Sequence, residues 1–235
     1  MTDLFDCTDP GERETGIAAA ISALKGGRLV VMPTDTVYGV AADAFNAAAV
    51  QRLLDAKGRT RESPPPVLVA GTAMVRALVA DLPEPVERLI EKFWPGGLTI
   101  VLPAQPSLTW DLGETRGTVA VRMPDHRIAL ELIEETGPLA VSSANLTGEA
   151  AAVDVLSAHQ MLGDRIDVYL DSGPVATGVP STILDATGLA RREPGTARIL
   201  RIGAVSADEI HEVIGDLLED PAAPVETDAD DAGSA

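Results

Sequence analysis

Arg28-Leu-Val-Val-Met-Pro-Thr-Asp-Thr36 decides the fold. Its apolar run, Arg28 to Met32, reads as a short strand, and Pro33 stops it because the proline ring cannot donate to a sheet ladder. The polar segment Thr34-Asp-Thr36 is thereby left at a strand end. Upstream, residues 12–25 carry a helical pattern closed by Gly26-Gly27. Downstream, Asn46 suits an N-cap, since its side-chain oxygen can accept a free first-turn N–H, and a helix from Ala47 to Ala56 follows. Gly58 closes that helix. Lys57, Arg59 and Arg61 therefore fall at or just past its C-terminus, ahead of the stiff run Pro64-Pro-Pro66.

The same alternation continues along the chain. Val67-Leu-Val69 reads as a strand, 72–80 and 84–93 as helices, and the turn Trp94-Pro-Gly-Gly97 feeds a strand from Leu98 to Leu102. Thr118 to Met123 alternates as a strand, and Pro124-Asp125 opens a helix reaching about Glu135. Leu139-Ala-Val141 is a buried strand by composition, delivering Ser142-Ser-Ala-Asn145 and Gly148 into a loop before a helix at 154–162. Strands near 166–170, 181–185 and 198–202 and a last helix at 206–219 complete the pattern. Strands and helices mixed in this order predict an α/β fold with a twisted, mixed open sheet flanked by helices. From Pro221 onward, Ala, Asp and Pro dominate, so residues 220–235 read as an acidic disordered tail.

Composition narrows the function classes. Hydrophobic residues at 46% against 23% charged exclude a disordered chain. No apolar run approaches the roughly 20 residues that span a bilayer, and the first residues are acidic rather than basic, which predicts neither membrane anchor nor secretory signal. Cys7 is the only cysteine, so no disulfide framework or cysteine-built zinc site is available, and a reducing cytoplasm is the expected compartment. A net charge of −18 repels long polyanions, and removing the acidic stretch after Gly215 would still leave −11.

Three polar segments sit at strand ends, where open α/β sheets place ligands: Pro33 to Thr36, Ser142 to Asn145, and Pro180-Ser-Thr182. Hydroxyls and amides there suit a small polar ligand, and the Lys57, Arg59, Arg61 cluster suits phosphate oxygens. The combination points to a nucleotide plus a small zwitterion. No Walker sequence, Gly-x-Gly-x-x-Gly fingerprint or His-Glu-x-x-His pair is present. Arg122 lies in an otherwise apolar strand, and a buried guanidinium requires a carboxylate from either the protein or a ligand. His126, His159 and His211 are scattered and read as solvated, with no metal-like spacing.

Pro33-Thr-Asp-Thr-Val-Tyr-Gly39, Lys57-Gly-Arg59, Phe93-Trp-Pro-Gly96, Val119-Ala-Val-Arg-Met-Pro124, Ser142-Ser-Ala-Asn145 with Gly148, Pro180-Ser-Thr182 and Leu200-Arg201 follow one another in register. In that order they resemble the YrdC-type threonylcarbamoyl-adenylate synthases, over roughly residues 12–206. The resemblance implies a YrdC-like catalytic domain at 12–206, extended here by a C-terminal helix at 207–219, and a sheet built around a large, positively lined cavity. It implies an ATP-dependent nucleotidyltransferase acting on L-threonine and bicarbonate, with magnesium brought by ATP and no metal held by the protein. By the same resemblance, Thr34, Arg122 and Ser181 contact threonine, while Lys57, Arg59, Thr118, Ser143, Asn145 and Arg201 contact the nucleotide. Lys57 and Arg59 are the catalytic pair.

The implied partners are the tRNA threonylcarbamoyl-transferase complex downstream and a weak tRNA contact, with no membrane. Where many members place a histidine near the threonine site, this chain aligns Leu68, and Thr60 follows Arg59 in place of a proline. The rival reading is an RNA-binding maturation factor using the same cavity without catalysis. Two Trp, two Tyr and three Phe leave little for an aromatic RNA platform. A second rival is carbamoyl transfer in hydrogenase maturation, which comes with cysteine-rich zinc fingers that one cysteine cannot build.

The tail lacks apolar periodicity and so has no face to bury. Truncation after Asp220 is expected to change the unfolding free energy by less than about 0.5 kcal/mol, measured by urea denaturation. A loss of several kilocalories per mole would mean that the tail docks on the core.

Overall fold

The structure, a computed structural model, describes residues 2–191, 193 and 195–219. The tail expected at 220–235 lies outside the described residues. Among the described residues, ten strands, in chain order, are β1 (Asp3–Asp6), β2 (Val30–Met32), β3 (Gly39–Asp43), β4 (Val67–Leu68), β5 (Leu98–Pro103), β6 (Thr118–Arg122), β7 (Leu139–Ser143), β8 (Val168–Asp171), β9 (Thr182–Asp185) and β10 (Arg198–Arg201). Seven helices accompany them: α1 (Pro10–Lys25), α2 (Ala47–Lys57), α3 (Thr72–Leu78), α4 (Glu84–Phe93), α5 (Arg127–Thr136), α6 (Val155–Leu162) and α7 (Ala207–Ile214).

The strands form one sheet in the order β1-β8-β2-β3-β7-β4-β6-β5-β9-β10. It is mixed, as the alternation of elements implied: β4 runs parallel to β6 and β5 parallel to β9, while β3–β7, β4–β7 and β5–β6 are antiparallel. Helices seal the sheet with three apolar clusters. Ile17 and Leu24 of α1 meet Leu132 and Ile133 of α5 in one. Leu53 and Leu54 of α2 meet Ala158 and Leu162 of α6 in another, and α3, α4 and α7 contribute Val75, Leu89 and Ile210 to the third.

Caps set the helix ends. Asp9 accepts from the Gly11 and Glu12 amides at the start of α1, which has proline in its first turn. Asn46 accepts from the Ala49 amide to start α2, and Gly58 ends it with φ 64°, a left-handed turn that glycine makes without a Cβ clash. A capping box between Ser206 and Glu209 starts α7.

Several elements differ from the reading of the sequence. β3 is buried and built of small residues, so it shows neither alternation nor a long apolar run. β1 is a short acidic edge strand paired with β8 alone. The helix expected from Pro124 begins at Arg127 instead, because the Asp125 amide donates to Asp35 Oδ1 and the backbone stays extended through His126. Ser142 and Ser143 belong to β7, paired with Val40 and Gly39, rather than to a loop. The last helix stops at Ile214, where Gly215 takes φ 54° and a short 3-10 turn follows. His159 and His211 are exposed as expected, but His126 is half-buried, with no partner for Nδ1 among the described residues.

One buried hydroxyl fixes the turn from β10 to α7. Thr182 Oγ1 accepts from the Gly203 amide at 2.8 Å and the Val205 amide at 3.0 Å, and donates to the Val205 carbonyl. Gly203 must be glycine here, since a Cβ would lie 2.1 Å from the Pro180 carbonyl oxygen. Thr182→Val keeps the shape but leaves two buried amides unpaired. It is expected to lower stability by about 2–4 kcal/mol, read from chemical denaturation.

Candidate active site

The middle and one end of the sheet form the floor of a cavity of about 310 Å³. Thr34 and Thr36 enter it from the β2–β3 turn, Arg59 from the end of α2, Thr118 and Arg122 from β6, Ser142 and Ser143 from β7. Ser181, just before β9, and Arg201, at the end of β10, close the opposite side. Residues more than a hundred positions apart in sequence thus share one space because β3, β7, β4, β6, β5, β9 and β10 are consecutive in the sheet.

Of the nine residues expected to bind ligand, Thr34, Arg59, Thr118, Arg122, Ser143, Ser181 and Arg201 line this cavity. Lys57 and Asn145 lie behind the wall. The Lys57 ammonium is buried, donating to the carbonyl of Ser143, to the Asn145 carbonyl at 2.6 Å and, more distantly, to Asn145 Oδ1 at 3.4 Å. Asn145 Nδ2 donates in turn to the carbonyls of Leu146 and Glu149 at 2.9 and 2.7 Å. The amide and hydroxyl of Thr147 close the loop on the Lys57 carbonyl. Lys57 therefore ties α2 to the segment that presents Ser143. Arg61, grouped with it by sequence, is exposed and paired with Asp111 at 2.6 Å.

Arg122 finds its carboxylate within the protein. Nη2 donates to Asp35 Oδ1, Nη1 to Thr36 Oγ1 at 2.9 Å, and Nε to the Gly96 carbonyl at 2.9 Å. Thr34 Oγ1 donates to the Val37 carbonyl at 2.7 Å and lies 3.1 Å from Thr36 Oγ1. Across the cavity, Arg201 Nη2 and Nε donate to the Ser181 carbonyl at 2.7 and 3.1 Å, and Ser181 Oγ lies 2.9 Å from Thr99 Oγ1.

The electrostatics are those of crowded cations. Burial pushes the Arg59 guanidinium down from its ordinary range, and burial followed by the Arg59 charge does the same to Arg201. Arg122 is pushed down by burial and held up by Asp35, with Arg201 acting against it. Among the described residues, neither Arg59 nor Arg201 has a carboxylate within salt-bridge distance.

Sequence reading placed Asp35 and Thr36 in a ligand segment without a role of their own, and missed Thr99, Leu112 and Thr115. Thr99 is a hydroxyl in an apolar strand, a signal comparable to that of Arg122. Leu112 and Thr115 reach the wall through an irregular segment anchored by the Glu114 amide on the Arg61 carbonyl at 2.7 Å. Leu68, at the position aligned with the family histidine, also lines the cavity.

An open α/β sheet carrying three guanidinium groups and a ring of hydroxyls defines a small-molecule site for anionic, acceptor-rich ligands. Residues 22–203 match the Sua5/YciO/YrdC family, described as "Telomere recombination", and the chain belongs to that family. A Mycobacterium leprae (strain TN) protein, provisionally named threonylcarbamoyl-AMP synthase, is 54% identical over 215 residues, covering 92% of this chain and 95% of its own. The Bacillus subtilis (strain 168) threonylcarbamoyl-AMP synthase is 36% identical over 222 residues, 94% of this chain and 61% of that longer protein. The structure of Pyrococcus abyssi Sua5 complexed with L-threonine matches with a TM-score of 0.82 at 33% identity, over 93% of this chain and 62% of that one.

Burial and, secondarily, the Arg59 charge push the Lys57 ammonium from 10.5 down to about 7. The native state then binds fewer protons than the unfolded state between those values, so this residue makes stability rise with pH across that window. Below about 7 both states hold the proton and its contribution is flat. The stability difference between the wild type and Lys57→Met is therefore expected to widen in favour of the wild type from pH 7 toward pH 10, measured by urea unfolding at a series of pH values. A difference independent of pH would show that the ammonium stays fully charged in the fold.

Proposed function

We propose that this chain is an L-threonylcarbamoyladenylate synthase, a nucleotidyltransferase that makes threonylcarbamoyl-AMP and pyrophosphate from L-threonine, bicarbonate or carbon dioxide, and ATP. The observation that carries this reading is the cavity's composition: one paired guanidinium among hydroxyls, sharing the space with two guanidinium groups that have no carboxylate within salt-bridge distance among the described residues. Family membership and the names of the relatives favour synthesis over a non-catalytic RNA-binding role.

In this reading Thr34, Arg122 and Ser181 hold threonine, with the remaining N–H donors of Arg122 turned to its carboxylate. The amine takes up carbon dioxide to give a carbamate. A carbamate oxygen then attacks the α-phosphorus of ATP, the bond to the bridging oxygen breaks, and pyrophosphate leaves. Charge builds on phosphate oxygens in that transition state, and fixed cations in a cavity of reduced dielectric stabilise it without reorganising. Arg59 and Arg201 supply those cations, with Thr118 and Ser143 as hydroxyl contacts to the nucleotide. Lys57 and Asn145 serve the same side by holding the segment that presents Ser143. Bringing carbamate and phosphate together in one space contributes much of the remaining advantage.

Magnesium arrives with the triphosphate as part of the substrate. The labile product passes to the tRNA threonylcarbamoyl-transferase complex for modification of adenosine 37, with at most a weak tRNA contact by this chain. The compartment is the cytoplasm; no helix among the described residues is long and apolar enough to cross a membrane.

Incubation with ATP, bicarbonate and a panel of amino acids, followed by mass spectrometry, tests the reaction and its substrate together. Threonylcarbamoyl-AMP is expected, with threonine preferred over serine and serine over valine, because a site that bonds a hydroxyl rejects the analogue lacking it. Arg59→Ala is expected to cut pyrophosphate release by about two to three orders of magnitude, comparable to losing one preorganised donor. Its thermal unfolding should stay close to that of the wild type. Equal turnover of threonine and valine, or undiminished release from Arg59→Ala, would overturn the reading.

A further inference from the structure

Asp35 is the one carboxylate among the described residues that pairs with a cavity guanidinium. Its Oδ1 accepts both from Arg122 Nη2 and from the Asp125 amide at 3.0 Å, and its side chain is 18% exposed. It stands outside the residues that line the cavity, so any effect on a ligand passes through Arg122. A guanidinium has five N–H donors, and Gly96, Thr36 and Asp35 occupy three of those of Arg122. Two donors remain, the number that a carboxylate takes in a bidentate pair.

Charge is distributed unevenly over the same space. Arg122 is matched by Asp35, whereas among the described residues neither Arg59 nor Arg201, which line the same cavity, has a carboxylate within salt-bridge distance. A matched guanidinium keeps its donors but little net charge, so it selects by geometry and suits a singly charged carboxylate. An unmatched one attracts in proportion to the charge of the anion, and phosphate chains carry more of it. We infer that Asp35 is a specificity-determining positioning residue: by cancelling the charge of Arg122 alone, it divides one cavity into a carboxylate end and a phosphate end. This rests on the amino-acid and nucleotide reading of the cavity proposed above. Without Asp35, polyphosphate would compete for the end that should hold the amino acid.

Asp35→Asn tests this, since asparagine keeps the shape and an oxygen able to accept both hydrogen bonds while removing the charge. Calorimetric titration with inorganic pyrophosphate is expected to give one ion bound to the wild type and two to Asp35→Asn. The second ion should be lost again in Asp35→Asn combined with Arg122→Gln. In the synthesis assay, added pyrophosphate should become competitive with threonine only in Asp35→Asn, raising the apparent KM for threonine about tenfold there while kcat changes little, the pattern of a second anion taking the carboxylate's place in the ground state. Asp35→Glu should restore the wild-type inhibition pattern. One pyrophosphate bound to Asp35→Asn, with wild-type inhibition, would overturn the inference and leave Asp35 as a brace of the fold. If the asparagine variant does not fold, Asp35→Ser answers the same titration. Absence of product from the wild type would sink the proposed reaction, while the binding stoichiometry would still decide the division of the cavity.

Discussion

A guanidinium buried at Arg122 is the constraint around which the site end of this fold is arranged. Burying an unpaired charge is costly by several kilocalories per mole, so the chain must bring acceptors to it. It brings them from two separate turns: Asp35 and Thr36 after β2, and Gly96 after α4. Those turns are distant in sequence and meet only because β6 is central in the sheet. Meeting that requirement also fixes the Arg122 end of the cavity. Asp35 holds the Asp125 amide as well, and α5 starts only at Arg127, after an extended His126.

Lys57 plays the corresponding part at the other end. A buried ammonium needs oxygen around it, and the oxygens it takes belong to Ser143 and Asn145 at the end of β7. The helix that carries Lys57 is packed by Leu53 and Leu54 against the sheet, so the bond transmits a rigid reference to the segment presenting Ser143. Gly58 then turns the chain and sends Arg59 into the cavity that Lys57 stays behind. Adjacent cations with similar sequence credentials thus have different environments, one facing carbonyl oxygens and the other open space.

Much of this was legible in the sequence, for identifiable reasons. Apolar runs such as Leu98 to Leu102 and caps such as Asn46 are local, and local physics places them correctly. β3 escaped because a strand buried on both faces and made of Gly, Val and Ala has no period to detect. Seven of the nine residues named for ligand contact did converge on one cavity, but their division of labour was not legible. Whether Arg122 meets a carboxylate of the protein depends on where Asp35 points, and whether Lys57 faces solvent or carbonyls depends on the path of a loop ninety residues away. Sequence records which groups are available; the sheet order decides which of them meet.

The chain carries a net charge of −18, yet places together in its cavity two guanidinium groups, Arg59 and Arg201, that pair with no carboxylate among the described residues. Global charge governs solubility and long-range repulsion of large polyanions, and it is screened within about 10 Å at ordinary ionic strength. Inside the cavity, the neighbouring cations act on each other directly and set the local field. Arg59 and Arg201 repel each other there, and burial lowers the affinity of each for its proton. No folding requirement accounts for that arrangement, since a carboxylate beside either group would relieve it, as Asp35 does for Arg122. Acidic residues are twice as numerous as basic ones in this chain, so a partner could readily have been placed. With no carboxylate beside either cation among the described residues, stability is sacrificed for a preformed positive field, and in the proposed reading the group that relieves the repulsion is the anionic ligand.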